Sequence, residues 1–312
     1  MRQEDKNLGK GAAIFIALQT LGTFLTLSLM PLFVDMEALV SSPTPTILEY
    51  LIVIGMALNL AFVLWHSCLT KGVWRSILAA SVTIFLAWYA EYLGVTYGLV
   101  FGWYHYTHLF EPQIYGVPLL ICIAWEPILY SSYLMADFLL PSDLSKEKSF
   151  SKKLIPIIML SLCGCIIVTV WDLMADPVAV NRGYWAWHDG GPYVRDLLGG
   201  VPMSNFIGWL ELSFVCHLFY RLILETGPKK KHSIYLSVYG PILQYLNLFI
   251  FFALQIVTML KRMDVLLIGS LSMGGMVLLG ISKLYLKRFS AAEESWTSVE
   301  TDTVRAGGRT TQ

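Results

Sequence analysis

The feature that most constrains this chain is a series of eight apolar stretches, each long enough to cross a lipid bilayer. The hydrocarbon core of a bilayer is about 30 Å thick, and an α-helix needs about 20 apolar residues to span it. Soluble domains carry about 25% charged residues, whereas this chain carries 14%. The sequence therefore predicts an all-α, polytopic membrane helix bundle with about eight transmembrane helices. The predicted spans are residues 11–34, 47–66, 73–96, 117–139, 154–174, 203–224, 233–258 and 263–285.

The distribution of positive charge predicts how these helices are oriented. Cytoplasmic loops of membrane proteins are enriched in Lys and Arg, and with the N-terminus inside, 18 of the 22 Lys and Arg residues lie on the cytoplasmic side. We therefore expect a multi-pass protein of the cell membrane with both termini in the cytoplasm. Residues 1–288 are predicted to form one transmembrane domain. The polar segment 289–312, rich in Ser and Thr, is predicted to be a disordered cytoplasmic tail.

Two central hairpins share a pattern of motifs at nearly constant spacing. Each has an acid in its first helix, an aromatic motif eleven residues later, a GVP motif, and a Trp seven residues after that proline. The elements are Glu91, GWYHY (102–106), GVP (116–118) and Trp125 in the first hairpin, and Asp172, GYWAW (183–187), GVP (200–202) and Trp209 in the second. Both hairpins run inside–outside–inside, so the pattern predicts a parallel internal repeat, and such repeats bind ligands between their halves.

Four acids and one amide lie in or next to the outer parts of the predicted spans, where burying a polar group in lipid costs free energy. A carboxylate at the bilayer centre costs roughly 2.5–3.5 kcal/mol on insertion scales, so such residues usually have a function. No Lys or Arg lies in the spans at this depth, and burial without a cation favours the neutral acid, which is a proton donor. Asp176 precedes Pro177 and could instead lie among the headgroups, and Glu211 is offset from the face of its helix that carries Trp209. The predicted catalytic residues are Glu91, Glu126, Asp172, Asp176 and Asn205, with Asn205 orienting water.

Aromatic side chains crowd the same outer layer. Trp and Tyr normally gather at both membrane interfaces, but the inner interface has only Trp65 and Trp74 nearby. The excess favours a pocket wall in addition to an interfacial belt, and a belt alone is the alternative. The predicted substrate-binding residues are Trp88, Tyr97, Trp103, Tyr104, Tyr106, Trp125, Trp171, Trp185, Trp187 and Trp209.

The sequence gives little support for a metal, a cofactor or a disulfide framework. His105, His108 and His188 fall in predicted outer loops, but their spacing matches no common metal-ligand pattern. The five cysteines lie in or just inside the spans, and none is in an outer loop. We therefore predict no metal and no cofactor. The predicted partners are a lipid-soluble substrate and membrane lipid, with no nucleic acid.

Neutral acids and aromatic rings close to water suit the hydration of an alkene. A carboxylic acid protonates a trisubstituted double bond, and aromatic faces stabilise the resulting tertiary cation by roughly 0.5–2 kcal/mol each. Water then captures the cation, and the product is a tertiary alcohol. The residue types and their depth therefore predict an acid-catalysed hydratase.

Four stretches resemble a known family. These are EYLGVTYGLVFGWYHYT, GVPLLICIAW, WDLMADPVAVNRGYWAWHDGG and GVPMSNFIGW. They are similar to the membrane carotenoid-biosynthesis proteins that include CruF-type carotenoid hydratases and bisanhydrobacterioruberin hydratases, and the resemblance covers roughly residues 50–285. It implies a hydro-lyase that adds water to the terminal isopropylidene double bonds of an acyclic carotenoid such as bisanhydrobacterioruberin. It also implies other carotenoid-pathway membrane enzymes as partners, and it places Glu91, Asp172, Asn205 and Trp209 on signature positions.

Three other functions stay open on the sequence alone. The segment DLMAD has the Asp-x-x-x-Asp spacing of a polyprenyl transferase, which would need Mg²⁺ and cations for the diphosphate. Repeats and membrane acids also occur in transporters, which should have polar access from both faces. A subunit that only presents a carotenoid to partner enzymes would need the same pocket but would not catalyse a reaction in it.

Overall fold

The computed structural model describes residues 3–140, 149–188, 200–225 and 240–286 of the chain. The predicted tail, 289–312, lies outside the described residues. Within the described ranges the helices are α1 (Gln3–Phe33), α2 (Met36–Ser41), α3 (Ile47–Lys71), α4 (Val73–Tyr97), α5 (Leu119–Leu139), α6 (Phe150–Arg182), α7 (Met203–Leu224), α8 (Gly240–Gln255) and α9 (Met263–Gly269). The strands are β1 (Tyr104–Tyr106), β2 (Gln113–Ile114), β3 (Val117–Pro118) and β4 (Trp185–Trp187). A π-helical turn, Ile256–Leu260, extends α8, and another, Ser270–Gly274, continues α9 into a helical segment that reaches Leu286.

Seven helical segments of the described chain are long and apolar enough to cross a membrane. They overlap the last seven predicted spans, although residues 233–239 of the seventh span lie outside the described residues. Nearly all of the first predicted span lies in α1, which is not among the seven. The predicted class, an all-α polytopic bundle, is confirmed. The strands are two or three residues long and form two small two-stranded sheets at one end of the bundle, which we call the strand-side end. This is the end that the charge distribution predicts to be outside.

The end of α6 differs from the prediction. The apolar run suggests that this span stops near residue 174, with its two aspartates at the membrane surface. Instead α6 continues through Pro177 to Arg182 and ends at Gly183, whose φ of +78° is a left-handed cap. Proline is tolerated inside membrane helices because neighbouring groups satisfy the backbone that it frees. As a result Asp172 and Asp176 lie inside the bundle, 0% and 2% exposed, rather than at a helix terminus.

The central element of the bundle is α5. It packs on α3, α4, α6, α7 and α8. Of the residues in its apolar, membrane-length stretch, 67% are buried, compared with 28% for α3. The sixth helix also packs on α7, α8 and α9, while α1 packs mainly on α8. A helix that is apolar on all sides and surrounded by other helices is the expected centre of a membrane bundle. The two hairpins of the predicted repeat, α4–α5 and α6–α7, therefore form the middle of the protein.

The two aromatic motifs of the repeat pair with each other as β1 and β4. The strands are antiparallel, with Tyr104 opposite Trp187 and Tyr106 opposite Trp185, so the pairing is centred on His105. Motif alignment makes residues 104 and 185 equivalent, and also 106 and 187. Exchanging the two halves therefore converts the pair Tyr104–Trp187 into the pair Trp185–Tyr106, which is also present. A twofold axis along the membrane normal requires this relation.

Ion pairs tie the ends of the helices together. At the strand-side end, Arg182 donates from Nε to Glu49 Oε1 at 2.7 Å, and both side chains are buried. Glu49 also completes the capping box of α3 with Thr46. Arg182 lies in the last turn of α6 and is part of the core. At the other end, Arg221 of α7 pairs with Asp137 of α5.

Candidate active site

A cavity of about 1250 Å³, including its open mouth, lies between the two repeat halves near the strand-side end. Four of the five predicted catalytic residues and seven of the ten predicted substrate-binding residues line it. These are Glu91, Asp172, Asp176, Asn205, Tyr104, Tyr106, Trp125, Trp171, Trp185, Trp187 and Trp209. Both halves contribute to the wall, as expected for a ligand site between repeats.

Two aspartates of α6 and one asparagine of α7 form the first polar group of the cavity. Asn205 Nδ2 donates to Asp172 Oδ2 at 3.0 Å and also to Asp176 Oδ2. The aspartates lie one helical turn apart, and the Asn205 amide bridges them. The other oxygen of Asp172, Oδ1, is buried and has no hydrogen-bond partner among the described residues.

The second polar group is centred on Glu91 of α4. Tyr104 and Tyr106 both donate to its Oε2, the latter at 2.8 Å, and Trp125 Nε1 donates to Oε1 at 3.2 Å. Burial raises the pKa of both tyrosines well above that of free tyrosine, and the neighbouring Glu91 carboxyl raises it further. Both side chains therefore stay protonated and act as donors. Glu91 is 4% exposed, and no ion pair to it exists among the described residues.

Two glycines let the strand-side loop approach the helices closely enough to build this site. A Cβ at Gly94 would lie 2.6 Å from Tyr104 Cε1, so only glycine leaves room for the phenol that reaches Glu91 one turn away. A Cβ at Gly208 would lie 2.5 Å from the carbonyl oxygen of Val100. The loop is held there because the next carbonyl, that of Phe101, accepts hydrogen bonds from Trp187 and Ser204.

The cavity also has a layer of stacked indoles. Trp125 and Trp209, which are equivalent in the repeat, stack with ring centroids 3.8 Å apart and planes 13° from parallel. Trp171 lies 5.5 Å from Trp209, and Phe101 contacts both members of the stacked pair. Stacking of equivalent residues places the twofold axis between them, in line with the register of β1 and β4. The acids are therefore buried beside several aromatic rings.

Glu126 is the predicted catalytic residue that the structure does not bring to this cavity. It is buried, 2% exposed, but it packs against Tyr220 and Thr83 rather than facing the aspartates. Consecutive residues of an α-helix point about 100° apart, so the helix that directs Trp125 into the cavity turns Glu126 away. Glu211, already offset in the sequence reading, is exposed.

Three predicted aromatic residues also lie outside the cavity. Tyr97 and Trp103 are 62% and 54% exposed, and Trp88 stacks with Tyr92 on the surface of α4. These positions are typical of an interfacial belt. The aromatic layer of the sequence therefore divides between a pocket wall and a belt.

The three loop histidines lie at the exposed strand-side end of the bundle. His105 and His188 contact each other at 3.1 Å on the exposed side of the β1–β4 sheet, and His108 contacts the carbonyl of Pro43. Among the described residues, no group of three or more His, Cys, Asp or Glu side chains is arranged to hold a metal ion.

Sequence reasoning missed the part of the wall formed by α3 and α8. Apolar residues of these helices have no periodic signal that separates a cavity wall from a lipid face. Their amides did carry a signal, because an uncharged polar side chain within a membrane span also needs a partner. The missed lining residues of these two helices are Ile52, Gly55, Met56 and Asn59 of α3 and Asn247, Leu248, Phe251, Phe252 and Gln255 of α8; near the strands, Phe101 and Phe110 were missed as well.

Comparison with known proteins agrees with the resemblance seen in the motifs. The family model described as carotenoid biosynthesis protein matches residues 48–276, which contain both repeat hairpins and every lining residue of the cavity. No curated protein and no solved structure matches the chain. Since the family model covers well over half of the sequence, this multi-pass helical protein belongs to the carotenoid biosynthesis protein family.

Proposed function

We propose that the cavity hydrates a terminal isopropylidene double bond of an acyclic carotenoid, such as bisanhydrobacterioruberin. The observation that carries the proposal is the acid pair Asp172 and Asp176, which Asn205 bridges and which is buried beside a stack of indoles without a cationic partner among the described residues. This arrangement offers a proton to an apolar substrate and an aromatic surface to the cation that results. The family supports a role in carotenoid biosynthesis, and the hydration step is our proposal.

Asp172 is the residue that the contacts favour as proton donor. Its Oδ1 makes no hydrogen bond within the described protein, whereas both oxygens of Glu91 are occupied by donors. An acid must present an unoccupied O–H to the alkene carbon in order to transfer its proton. We therefore assign Asp172 as the donor and Asp176 as a neighbouring acid that Asn205 links to it.

The aromatic wall and Glu91 have a different role, which is to stabilise the cation. Protonation of the CH carbon of the double bond leaves a positive charge on the carbon that bears two methyl groups. Indole faces such as those of Trp171 and Trp209 attract this charge, by roughly 0.5–2 kcal/mol per ring. Glu91 is a fixed acceptor that cannot rotate away, because three donors hold it, and preorganised groups of this kind stabilise developing charge without reorganising.

Water completes the reaction and restores the acid. The water oxygen bonds to the tertiary cation, one of its protons returns to the carboxylate of Asp172, and the net change is the addition of one water molecule. The sequence reading gave Asn205 the role of orienting this water through its amide. In the structure its N–H groups bind the two aspartates, so its amide oxygen is the atom that can accept a hydrogen bond from water.

The polyprenyl transferase and the transporter fit the cavity less well. No Lys or Arg occurs among the described residues that line it, so a diphosphate would lack cationic ligands there. A transporter needs access from both faces, whereas the buried Trp125–Trp209 stack lies next to the acid groups and Glu126 turns away from the cavity.

The test is expression in a host that accumulates an acyclic carotenoid with isopropylidene ends. We expect pigments heavier by one or two water molecules, detected by mass spectrometry, in cells that express the protein and not in cells with the empty vector. A protein that only presents the carotenoid would leave the pigment masses unchanged, and that result would refute the proposal.

A further inference from the structure

The walls of the cavity differ in how deeply they are buried. At the acid end, Glu91 is 4% exposed and Asp172 is 0% exposed. The wall formed by α3 and α8 is more open, although its residues line the same cavity. Its partly buried members are Gly55, Met56, Asn59, Phe251 and Phe252. The cavity is therefore closed around the acids and less closed beside these residues of α3 and α8, the part that we call the opening.

Gly55 lies at the edge of this opening. It lines the cavity, yet a Cβ added to it would meet no atom of the described residues within 4 Å. The glycines Gly94 and Gly208 differ, because each is required by a close contact at 2.5–2.6 Å. Within the described part of the chain, no packing contact requires a glycine at position 55.

The surface around the opening is apolar. On α3, Val53, Ile54 and Leu58 are 38%, 56% and 40% exposed, and this helix is long and apolar enough to cross a membrane. Side chains of this kind face lipid in a membrane helix. The opening therefore faces the hydrocarbon of the bilayer rather than water.

A cluster of amides keeps α3 and α8 at a fixed separation below the opening. Gln244 Nε2 donates to Asn59 Oδ1 at 2.5 Å, and Asn247 Nδ2 approaches the same oxygen at 3.4 Å. Thr20 of α1 donates to Asn247 at 3.1 Å. Both α3 and α8 pack on α5 but hardly on each other. Asn59 lies one turn from Gly55, so the cluster closes one side of the opening and leaves the Gly55 side free.

We infer that this opening is a lateral entrance for a long, lipid-dissolved polyene and that Gly55 sets its width. One end of the polyene reaches the acids, and the remainder of the chain passes Gly55 into the bilayer. The chemical identity of the reacting end rests on the proposed function, but the entrance rests on geometry alone. The ligand class is an extended hydrocarbon chain with a slender end.

The experiment measures binding rather than turnover. The purified protein is placed in lipid nanodiscs with increasing lycopene, an acyclic carotenoid, and quenching of tryptophan fluorescence reports entry, because five Trp residues line the cavity. Gly55→Phe should weaken binding about tenfold or more, since the ring would occupy the space through which the chain passes. The matched control is Gly22→Phe in α1, where an added Cβ also meets no atom within 4 Å, and it should bind like the wild type.

Each outcome has a defined meaning. Unchanged binding by Gly55→Phe, or equal loss in both glycine variants, overturns the entrance. If the wild type binds lycopene with the expected difference between variants but never hydrates a carotenoid, the hydratase proposal fails and the entrance stands. If Gly55→Phe does not fold, Gly55→Cys is modified after folding with a bulky maleimide and compared with Gly22→Cys treated in the same way. Equal binding by these two modified proteins would also overturn the entrance.

Discussion

Replacing Asp172 by Asn tests the assignment of the proton donor with little disturbance of the structure. The two side chains have the same shape, and the new amide oxygen can still accept the hydrogen bond that Asn205 makes to Asp172 Oδ2 at 3.0 Å. The acidic proton is lost, however, and no other described oxygen of the pair is both buried and without a partner. The change therefore removes the proposed chemistry and keeps the contacts.

The expected loss follows from the role of the group. Removing a positioned general acid slows a reaction by about 10²- to 10⁴-fold, which corresponds to roughly 2.7–5.4 kcal/mol in the activation free energy at 1.36 kcal/mol per tenfold. Asp176→Asn should cost less, because Asp172 keeps its proton and loses only a neighbour. We therefore expect the order wild type, Asp176→Asn, Asp172→Asn in decreasing rate.

The assay is the rate of appearance of the pigment that is one water heavier, measured with protein in lipid vesicles that contain the acyclic carotenoid. Glu211→Gln is the matched control, since it also neutralises an acid of a central helix but at an exposed position outside the cavity. Thermal melting shows that each variant is folded. A rate for Asp172→Asn within a few-fold of the rate of the Glu211→Gln control would refute the reasoning.

Three further variants test other parts of the site. Glu91→Gln replaces one acceptor oxygen by an N–H donor next to three existing donors. We expect the free energy of unfolding to fall by about 1–3 kcal/mol, seen as a lower melting temperature, and the hydration rate to fall as well. Trp209→Leu removes one face of the stack with Trp125 and should slow hydration by roughly 2- to 30-fold, the equivalent of 0.5–2 kcal/mol of cation–π attraction, as measured in the same vesicle assay. Glu49→Gln leaves Arg182 buried without its partner and should reduce the free energy of unfolding by about 3–5 kcal/mol, as measured by denaturant titration in detergent.

For each of these variants, one outcome would contradict the prediction. Wild-type melting of Glu91→Gln would mean that the three donors do not depend on the carboxyl group. A Trp209→Leu variant as fast as the wild type would remove the indole stack from the mechanism. For Glu49→Gln the control is Asp264→Asn, which breaks an exposed pair with Arg262. Equal effects of these two variants on stability would show that the buried pair has no special importance.

Much of the architecture was predictable, because the length of an apolar run is a local property of the sequence. A run of about 20 apolar residues must be a helix in a bilayer, since only a helix satisfies its own backbone there. The span predicted at 203–224 coincides with α7, Met203–Leu224. The span that ends with Asp172 and Asp176 was predicted too short, because polar residues and a proline resemble a helix end unless neighbouring helices bury them.

The sequence predicted the depth of the candidate site in the membrane but not the contacts between its residues. Polar residues cost free energy in a membrane, so their depth along each span places Glu91, Asp172 and Asn205 at one level without any knowledge of packing. The equivalence of Trp125 and Trp209 also follows from motif spacing alone. Whether these groups touch does not follow, because spacing along the chain says nothing about the distance between helices.

The amino-acid sequence by itself determined the class of the protein, the layer that holds its acids and the repeat that relates its central hairpins. The tertiary structure decided which side of each helix faces the cavity. It turned Glu126 away from the acids, set Trp125 against Trp209, and brought α3 and α8 together as the open wall of the cavity. The physical reason is that hydrophobicity depends on each residue separately, whereas the rotation and pairing of helices depend on how all their side chains pack at once.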